Sequence, residues 1–174
     1  MDIRFVPPEI RYLELLSQEL LLLPLFIEDR PPQGALGLVD YRMAGKISSL
    51  ISDGRISAEL GAAYALPGRP GLNFERVVIV GAGHVAEFHA AIAERVMERM
   101  LEAAEELKTA RATIELPGRA HEILSADVAM QLFTAARERG PLRSWTLIES
   151  ATAARRMTSL SEAEPSRRWG VTNS

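Results

Sequence analysis

The sequence has 174 residues, of which 47% are hydrophobic and 25% are charged, and its formal net charge is −3. This length suits one compact domain, and this composition is that of a globular protein rather than a disordered or fibrous one. The acidic balance gives no reason to expect binding to nucleic acid or to an anionic membrane, and the lack of cysteine excludes disulfides and thiolate metal sites.

The first half of the chain predicts a buried strand and a short helix. The apolar run at residues 20–27 is typical of a strand covered on both faces, and Pro24 places it at an edge or a bulge. The run is too short for a membrane-spanning helix, which needs about 20 residues. Asp40 is expected to cap a helix that ends at Gly54, with apolar residues at helical spacing: Met43, Ile47, Leu50 and Ile51.

The second half alternates strands with longer helices. Residues 62–66 and 77–80 predict strands, and the second is β-branched and expected inside the sheet. A long amphipathic helix is predicted from residue 85 to about residue 107. Residues 113–116 and 145–148 predict two further strands, with a helix between them that Ser125 caps and that stops at Gly140 and Pro141.

This alternation predicts a three-layer α/β/α fold with a mixed, mostly parallel sheet. We expect residues 1–157 to form a single domain. Residues 158–174 are rich in Ser, Glu, Arg and Gly, which favours a flexible or partner-ordered tail with Trp169 as its most notable residue. The first residues lack the basic and apolar regions of a secretory signal, so we expect a cytoplasmic protein.

The motif with most chemical content is Gly81-Ala82-Gly83-His84, between the predicted inner strand and the long helix. Glycines in such a turn let backbone N–H groups and the positive end of a helix approach a phosphate. The spacing fits the looser dinucleotide pattern Gly-x-Gly-x-x-Ala. In dinucleotide-binding domains this motif follows the first strand, and an acidic residue about 20 residues further on binds the ribose. Here the strand is not the first of the chain, and the acid at that distance falls inside a helix. Anion binding and a purely structural turn both remain open interpretations.

Other catalytic and metal motifs are missing from the sequence. His84 and His89 are five residues apart and point in different directions on a helix, and His121 lacks the second histidine of a zinc protease motif. No Gly-x-Ser-x-Gly nucleophile turn occurs. We therefore predict no catalytic residue, no metal site and no cofactor, with a hydrolase that uses His84 with Asp40 or another acidic residue as the weakest alternative.

Four segments carry a family resemblance: Asp29-Arg-Pro, Gly34-Ala-Leu-Gly-Leu-Val-Asp40, Gly68-Arg69 and Val80-Gly-Ala-Gly83. They resemble the amino-terminal domain of the leucyl aminopeptidase family, over about residues 18–107. The resemblance implies a macro-like α/β fold, which in that family precedes a catalytic domain with two metal ions. The string Asn-Thr-Asp-Ala-Glu-Gly-Arg-Leu of that catalytic domain does not occur here, so no metal ligand or catalytic residue carries over.

The resemblance also implies a role. In the family, this domain is associated with oligomer assembly and with access to the active site. We therefore expect a stand-alone, non-catalytic domain with an assembly, regulatory or binding role, as a homo-oligomer or beside a separately encoded peptidase subunit. Because related macro-like folds bind ADP-ribose at strand ends, the alternative is a module for ADP-ribose or another nucleotide or phosphate ligand at the loop after Val80. The candidate ligand-binding residues are Asp40, Gly81, Ala82, Gly83 and His84.

Overall fold

The computed structural model describes residues 2–140, 142 and 144–163, so Pro141 and Trp169 lie outside the described residues. The six strands are β1 (Asp2–Val6), β2 (Gln18–Phe26), β3 (Ala63–Pro67), β4 (Phe74–Gly83), β5 (Arg111–Ile114) and β6 (Ser144–Ile148). The six α-helices are α1 (Ile10–Leu15), α2 (Gly34–Arg42), α3 (Lys46–Ser52), α4 (Ala90–Glu106), α5 (Ala126–Arg137) and α6 (Ala151–Ala163). None of the helices in these residues is long and apolar enough to cross a membrane.

The strands form one sheet in the order β1-β6-β5-β2-β4-β3. Every neighbouring pair is parallel except β3 with β4, which is antiparallel. One hydrophobic core lies between the sheet and α4, α5 and α6, and a second lies between the sheet and α1, α2 and α3. The predicted three-layer fold with a mixed, mostly parallel sheet is confirmed.

The apolar run at residues 20–27 is continuous because β2 lies between two hydrophobic cores. Successive side chains of a strand point to opposite faces of the sheet. Leu20 and Leu22 accordingly pack in the first core, and Leu21 and Leu23 pack in the second. A strand with a helical layer on each side must therefore be apolar at every position, as the sequence predicted.

Pro24 lies in an inner strand, so its predicted position at an edge is wrong. The carbonyl of Leu22 accepts a hydrogen bond from the N–H of Glu115 directly after β5, so Leu22 faces β5, and Pro24, two residues on, faces the same way. β5 pairs with β2 only as far as Leu22, and the missing N–H of Pro24 therefore falls beyond its end. The register with β4 shifts between Leu25 and Phe26, so a bulge does follow the proline.

The helix predicted from Asp40 to Gly54 is two helices. Asp40 belongs to the last turn of α2, and Gly45, with φ of 75°, separates that helix from α3. The carboxylate of Asp40 nevertheless accepts hydrogen bonds from the N–H and the hydroxyl of Ser48 in the first turn of α3. Asp40 thus caps α3 from the neighbouring helix instead of from the N-cap position itself.

Four elements were not predicted: β1, α1, α2 and α6. The domain boundary predicted at residue 157 falls inside α6, where Met157 is fully buried. The first six residues of the predicted tail, 158–163, therefore continue a helix that packs on the first core. Residues 164–174 lie outside the described residues.

Candidate ligand-binding site

The glycine motif is part of a strand. Gly81, Ala82 and Gly83 are the last three residues of β4, so the interpretation as a strand-to-helix turn is wrong. The N–H groups of Gly81 and Gly83 donate to the carbonyls of Ala62 and Ala58, over 2.7 and 2.9 Å. These two donors are therefore engaged by the chain itself, and Ala82 is buried in the first core.

His84 follows the strand but does not begin a helix. A 3-10 turn at Val85–Glu87 comes next, and α4 starts only at Ala90, where the side chain of His89 accepts a hydrogen bond from Ala91 N–H. His84 Nδ1 donates to Glu28 Oε1 over 2.8 Å, and Val85 N–H donates to Glu28 Oε2 over 3.0 Å. These bonds, first that of Val85 and then that of His84, lower the pKa of Glu28. A protein carboxylate thus lies where the sequence suggested an anionic ligand.

Gly81 is constrained by a crossing backbone, which gives a testable contrast with Gly83. A Cβ on Gly81 would overlap the carbonyl oxygen of Glu59, whereas a Cβ on Gly83 would lie 3.8 Å from Leu60 Cβ. We expect Gly81→Ala to lower the free energy of unfolding by about 2–3 kcal/mol through overpacking. Gly83→Ala should cost only about 1 kcal/mol, from the positive φ alone. Urea unfolding measures both, and equal losses would contradict this reading of Gly81.

Asp40 is separate from this segment. Its carboxylate bonds to Ser48, which lines a cavity of about 270 Å³ together with Asp29, Arg30 and Pro31. Among the described residues, the hydrogen bonds of Asp40 and those of His84 share no partner. The role of Asp40 as a helix cap accounts for its burial.

A larger cavity, of about 360 Å³, lies where the carboxyl ends of β1, β5 and β6 meet. Because these strands are parallel, the residues that directly follow them converge on one edge of the sheet, which is where ligands bind in open α/β sheets. We name this space the crest cavity. Its polar lining consists of Glu115, Arg119, His121, Glu122, Glu149 and Ser150.

Arg119 and Glu149 form a buried ion pair on the cavity wall. Arg119 Nε and Nη2 donate to the two carboxylate oxygens of Glu149 over 2.7 and 3.2 Å, and Nη1 donates to the carbonyl of Leu124 over 2.6 Å. The side chains are only 13% and 8% exposed. Both charges are compensated by each other, in the bidentate geometry that favours arginine over lysine.

Asp29 and His121 form a second pair. His121 Nε2 lies 2.7 Å from Asp29 Oδ1, and the other oxygen of Asp29 accepts the N–H of Phe26 over 3.0 Å. Nδ1 of His121 is buried and has no hydrogen-bond partner among the described residues. This pair joins the loop after β2 to the loop after β5.

Glu115 is the most perturbed acid of the site. It is 4% exposed, and Oε2 accepts the N–H of Ala35 in the first turn of α2 over 2.9 Å. Gly34 makes this approach possible, since a Cβ there would lie 3.0 Å from both carboxyl oxygens. Burial, with the negative charges of Glu149 and Asp29 as smaller causes, raises the pKa of Glu115 to about 7. Within residues 2–140, 142 and 144–163, no group of three or more metal-binding side chains occurs.

None of the residues that line the crest cavity was predicted as a site residue from the sequence. Glu115 and Glu149 each follow directly after a short buried strand, and this position is the signal that could have identified them. They are 34 residues apart, so only the pairing of β5 with β6 brings them together.

The mixed, mostly parallel sheet between two helical layers has a macrodomain-like fold. The structure is similar to a Trypanosoma brucei macrodomain (TM-score 0.72, 10% identity, 91% of this chain and 66% of that chain). It is also similar to the macrodomain of Mycobacterium tuberculosis DarG (TM-score 0.65, 11% identity, 85% and 98%). A mutant of tomato leucine aminopeptidase matches with a TM-score of 0.62 and 14% identity. That match covers 92% of this chain but only 35% of the aminopeptidase chain.

The family follows from the sequence itself. The N-terminal domain of the cytosol aminopeptidase family matches residues 22–139, which is more than half of the chain. The chain belongs to this family, and the predicted resemblance is confirmed. No curated protein matches the sequence significantly.

Proposed function

We propose that this chain is a non-catalytic accessory domain that acts in assembly, with copies of itself or with a peptidase subunit. The observation that carries this proposal is a pair of exposed hydrophobic side chains, Leu15 at 80% and Tyr41 at 78% exposure. Large apolar side chains this exposed are typical of contact surfaces, and tyrosine is enriched in them. We name Leu15 and Tyr41 the assembly surface.

The assembly surface lies on two helix ends that are held together. Leu15 ends α1, and Tyr41 lies in the last turn of α2. The neighbouring residues Glu14 and Arg42 form an ion pair of 2.9 Å between these helices. Leu13 is fully buried in the second core, so α1 is anchored beside α2. A surface on anchored helices costs little conformational entropy when it binds a partner.

We expect the wild-type protein to have a mass above the 19.1 kDa of one chain in light scattering. Tyr41→Ser should shift the mass toward that of one chain, because it removes the largest apolar contact of the assembly surface. Leu107→Ser is the matched control, since Leu107 is an exposed leucine at the end of α4 on the opposite face of the sheet. It should leave the mass unchanged.

Two results would contradict the proposal. The first is a wild-type mass of one chain that does not change when an aminopeptidase catalytic subunit is added. The second is cleavage of aminoacyl amides by the purified, metal-supplemented protein that is lost in His84→Ala, which would instead favour a hydrolase.

The alternative role is binding of ADP-ribose or a related phosphate ligand at the loop after Val80. Its predicted donors, the N–H groups of Gly81 and Gly83, already bind carbonyls of the chain. The carboxylate of Glu28 already accepts hydrogen bonds from His84 Nδ1 and from the N–H of Val85. An anion would have to displace this carboxylate, so the geometry favours the assembly role over the nucleotide role.

A further inference from the structure

The crest cavity has an unbalanced set of charges. Glu149 is paired with Arg119, and Asp29 with His121. Glu115 is the third buried carboxyl group at this edge of the sheet, and it has no cationic partner among the described residues. Among the three buried carboxyl groups at this edge, Glu115 is therefore the one that no basic side chain of the described residues pairs with.

Glu115 also has an unused oxygen. Its Oε2 accepts the N–H of Ala35, whereas Oε1 has no hydrogen-bond partner in the part of the chain that the structure describes. The residue is 4% exposed and lines the cavity. Oε1 is not one of the fully buried unpaired atoms among the described residues, so it is accessible from the cavity, and a ligand there can donate to it in place of water.

We propose that the crest cavity binds a small molecule carrying a primary ammonium group, which donates to Glu115 Oε1. This site is independent of the assembly surface at Leu15 and Tyr41. It differs from the nucleotide site expected from the resemblance both in its position and in the sign of charge that it accepts.

Charge excludes an anionic ligand from this position. A phosphate or carboxylate in the cavity would face Glu115, with Glu149 and Asp29 close enough to raise its pKa. The guanidinium of Arg119 is the cation best placed to compensate, but it already donates to both oxygens of Glu149 and to a backbone carbonyl. An anion would have to break this buried pair to be stabilised.

Geometry selects an ammonium among cations. A guanidinium binds a carboxylate best through two parallel hydrogen bonds, one to each oxygen, and one of the two acceptor sites of Oε2 is already taken by the N–H of Ala35. An ammonium is a compact charge that binds a single acceptor. The apolar part of the lining, Pro8, Ala120 and Ile148, suits a short alkyl chain on the same molecule. The volume of about 360 Å³ lies in the range of small-ligand sites, about 300–1,000 Å³.

The simpler interpretation is that Glu115 only caps the first turn of α2. A glutamine would serve that purpose equally well, because its amide oxygen also accepts the N–H of Ala35. Glu115→Gln therefore separates the two interpretations: it keeps the cap and the volume and removes only the negative charge.

The test uses three probes with one carbon skeleton and different charge: isopentylamine, isopentanol and isovalerate. We expect isopentylamine to bind the wild-type protein, as seen in the amide chemical shifts of Ala35 and its neighbours. Isopentanol should bind at least about tenfold more weakly, and isovalerate should not bind. ADP-ribose serves as a large anionic probe and should leave these shifts unchanged.

The charge state of Glu115 gives a second readout. With its pKa at about 7, the fraction of ionised Glu115 rises about tenfold between pH 6 and pH 8. The charged or titratable groups around it are Asp29, Glu149, Arg119, His121 and Glu122. The affinity for isopentylamine should therefore rise about tenfold over this range and should lose this dependence in Glu115→Gln. Glu94→Gln, at an exposed glutamate of α4 outside the cavity, should behave as the wild type.

The proposal is overturned if isopentylamine fails to bind the folded wild-type protein, or if Glu115→Gln binds it equally well. Equal binding of isopentanol would show an apolar site only. Shifts at Ala35 caused by isovalerate or ADP-ribose would show an anion site. If Glu115→Gln does not fold, a wild-type affinity that does not change between pH 6 and pH 8 overturns the proposal by itself.

Discussion

Arg119→Met should lower the free energy of unfolding by about 3–5 kcal/mol, the usual cost of removing one partner of a buried ion pair. Methionine replaces most of the volume of arginine but none of its charge or donors. Glu149 would remain a buried, uncompensated carboxylate, and the carbonyl of Leu124 would lose its partner. Urea unfolding at neutral pH measures the loss.

The chain offers a close control for this substitution. Arg156 and Asp127 form a bidentate pair of similar geometry, 2.6 and 2.7 Å, but their side chains are 63% and 36% exposed. Arg156→Met should cost less than about 1 kcal/mol, because solvent screens exposed pairs. In the double variant Arg119→Met with Glu149→Gln, the loss should be smaller than the sum of the single losses. Additive losses in the double variant, or equal losses at Arg119 and Arg156, would contradict the interpretation of Arg119 and Glu149 as a buried, coupled ion pair.

Glu115→Gln should stabilise the protein at pH 8 but not at pH 4.5. The folded pKa of Glu115 is about 7, against an ordinary value of 4.5. Between these values the folded state holds a proton that the unfolded state has released, so stability falls as the pH rises from 4.5 to 7 and then levels off. This pKa shift lowers the free energy of unfolding of the wild-type protein by about 3 kcal/mol between pH 4.5 and pH 8. A neutral glutamine does not incur this loss.

The measurement is urea unfolding of both proteins at several pH values. The difference between Glu115→Gln and the wild type should grow by about 3 kcal/mol between pH 4.5 and pH 8. Glu122→Gln should show a flat difference, because Glu122 is exposed at the same cavity. A flat difference for Glu115→Gln as well would mean that burial does not perturb this carboxyl group.

Several elements could be predicted because their signals are local. The apolar run of β2 requires cover on both faces, and Ser125 accepts the N–H of Val128 as the expected cap of α5. α4 was predicted five residues too long at its start, because the residues before Ala90 continue the helical pattern. β1 is an edge strand without a fully buried residue, and it starts with alternating polar and apolar residues, so its sequence lacks the continuous apolar run of an inner strand.

The glycine motif shows where a local pattern becomes ambiguous. Gly81 is needed because a backbone approaches it closely, which is also the reason for glycines at a phosphate. The approaching backbone is that of Ala58 and Glu59. A sequence pattern records that something comes close to the glycine, but it does not record whether this is a ligand or another part of the chain.

The sequence by itself determined the α/β class, the sheet type and the family, because these depend on periodicity, turn residues and contiguous segments. Only the tertiary structure decided which polar groups meet. Asp29, Glu115 and Glu149 follow three different strands, and the strand order places them at one edge of the sheet. Whether a carboxylate there is paired depends on residues that are distant in sequence. Arg119 reaches Glu149, whereas no cation reaches Glu115 among the described residues.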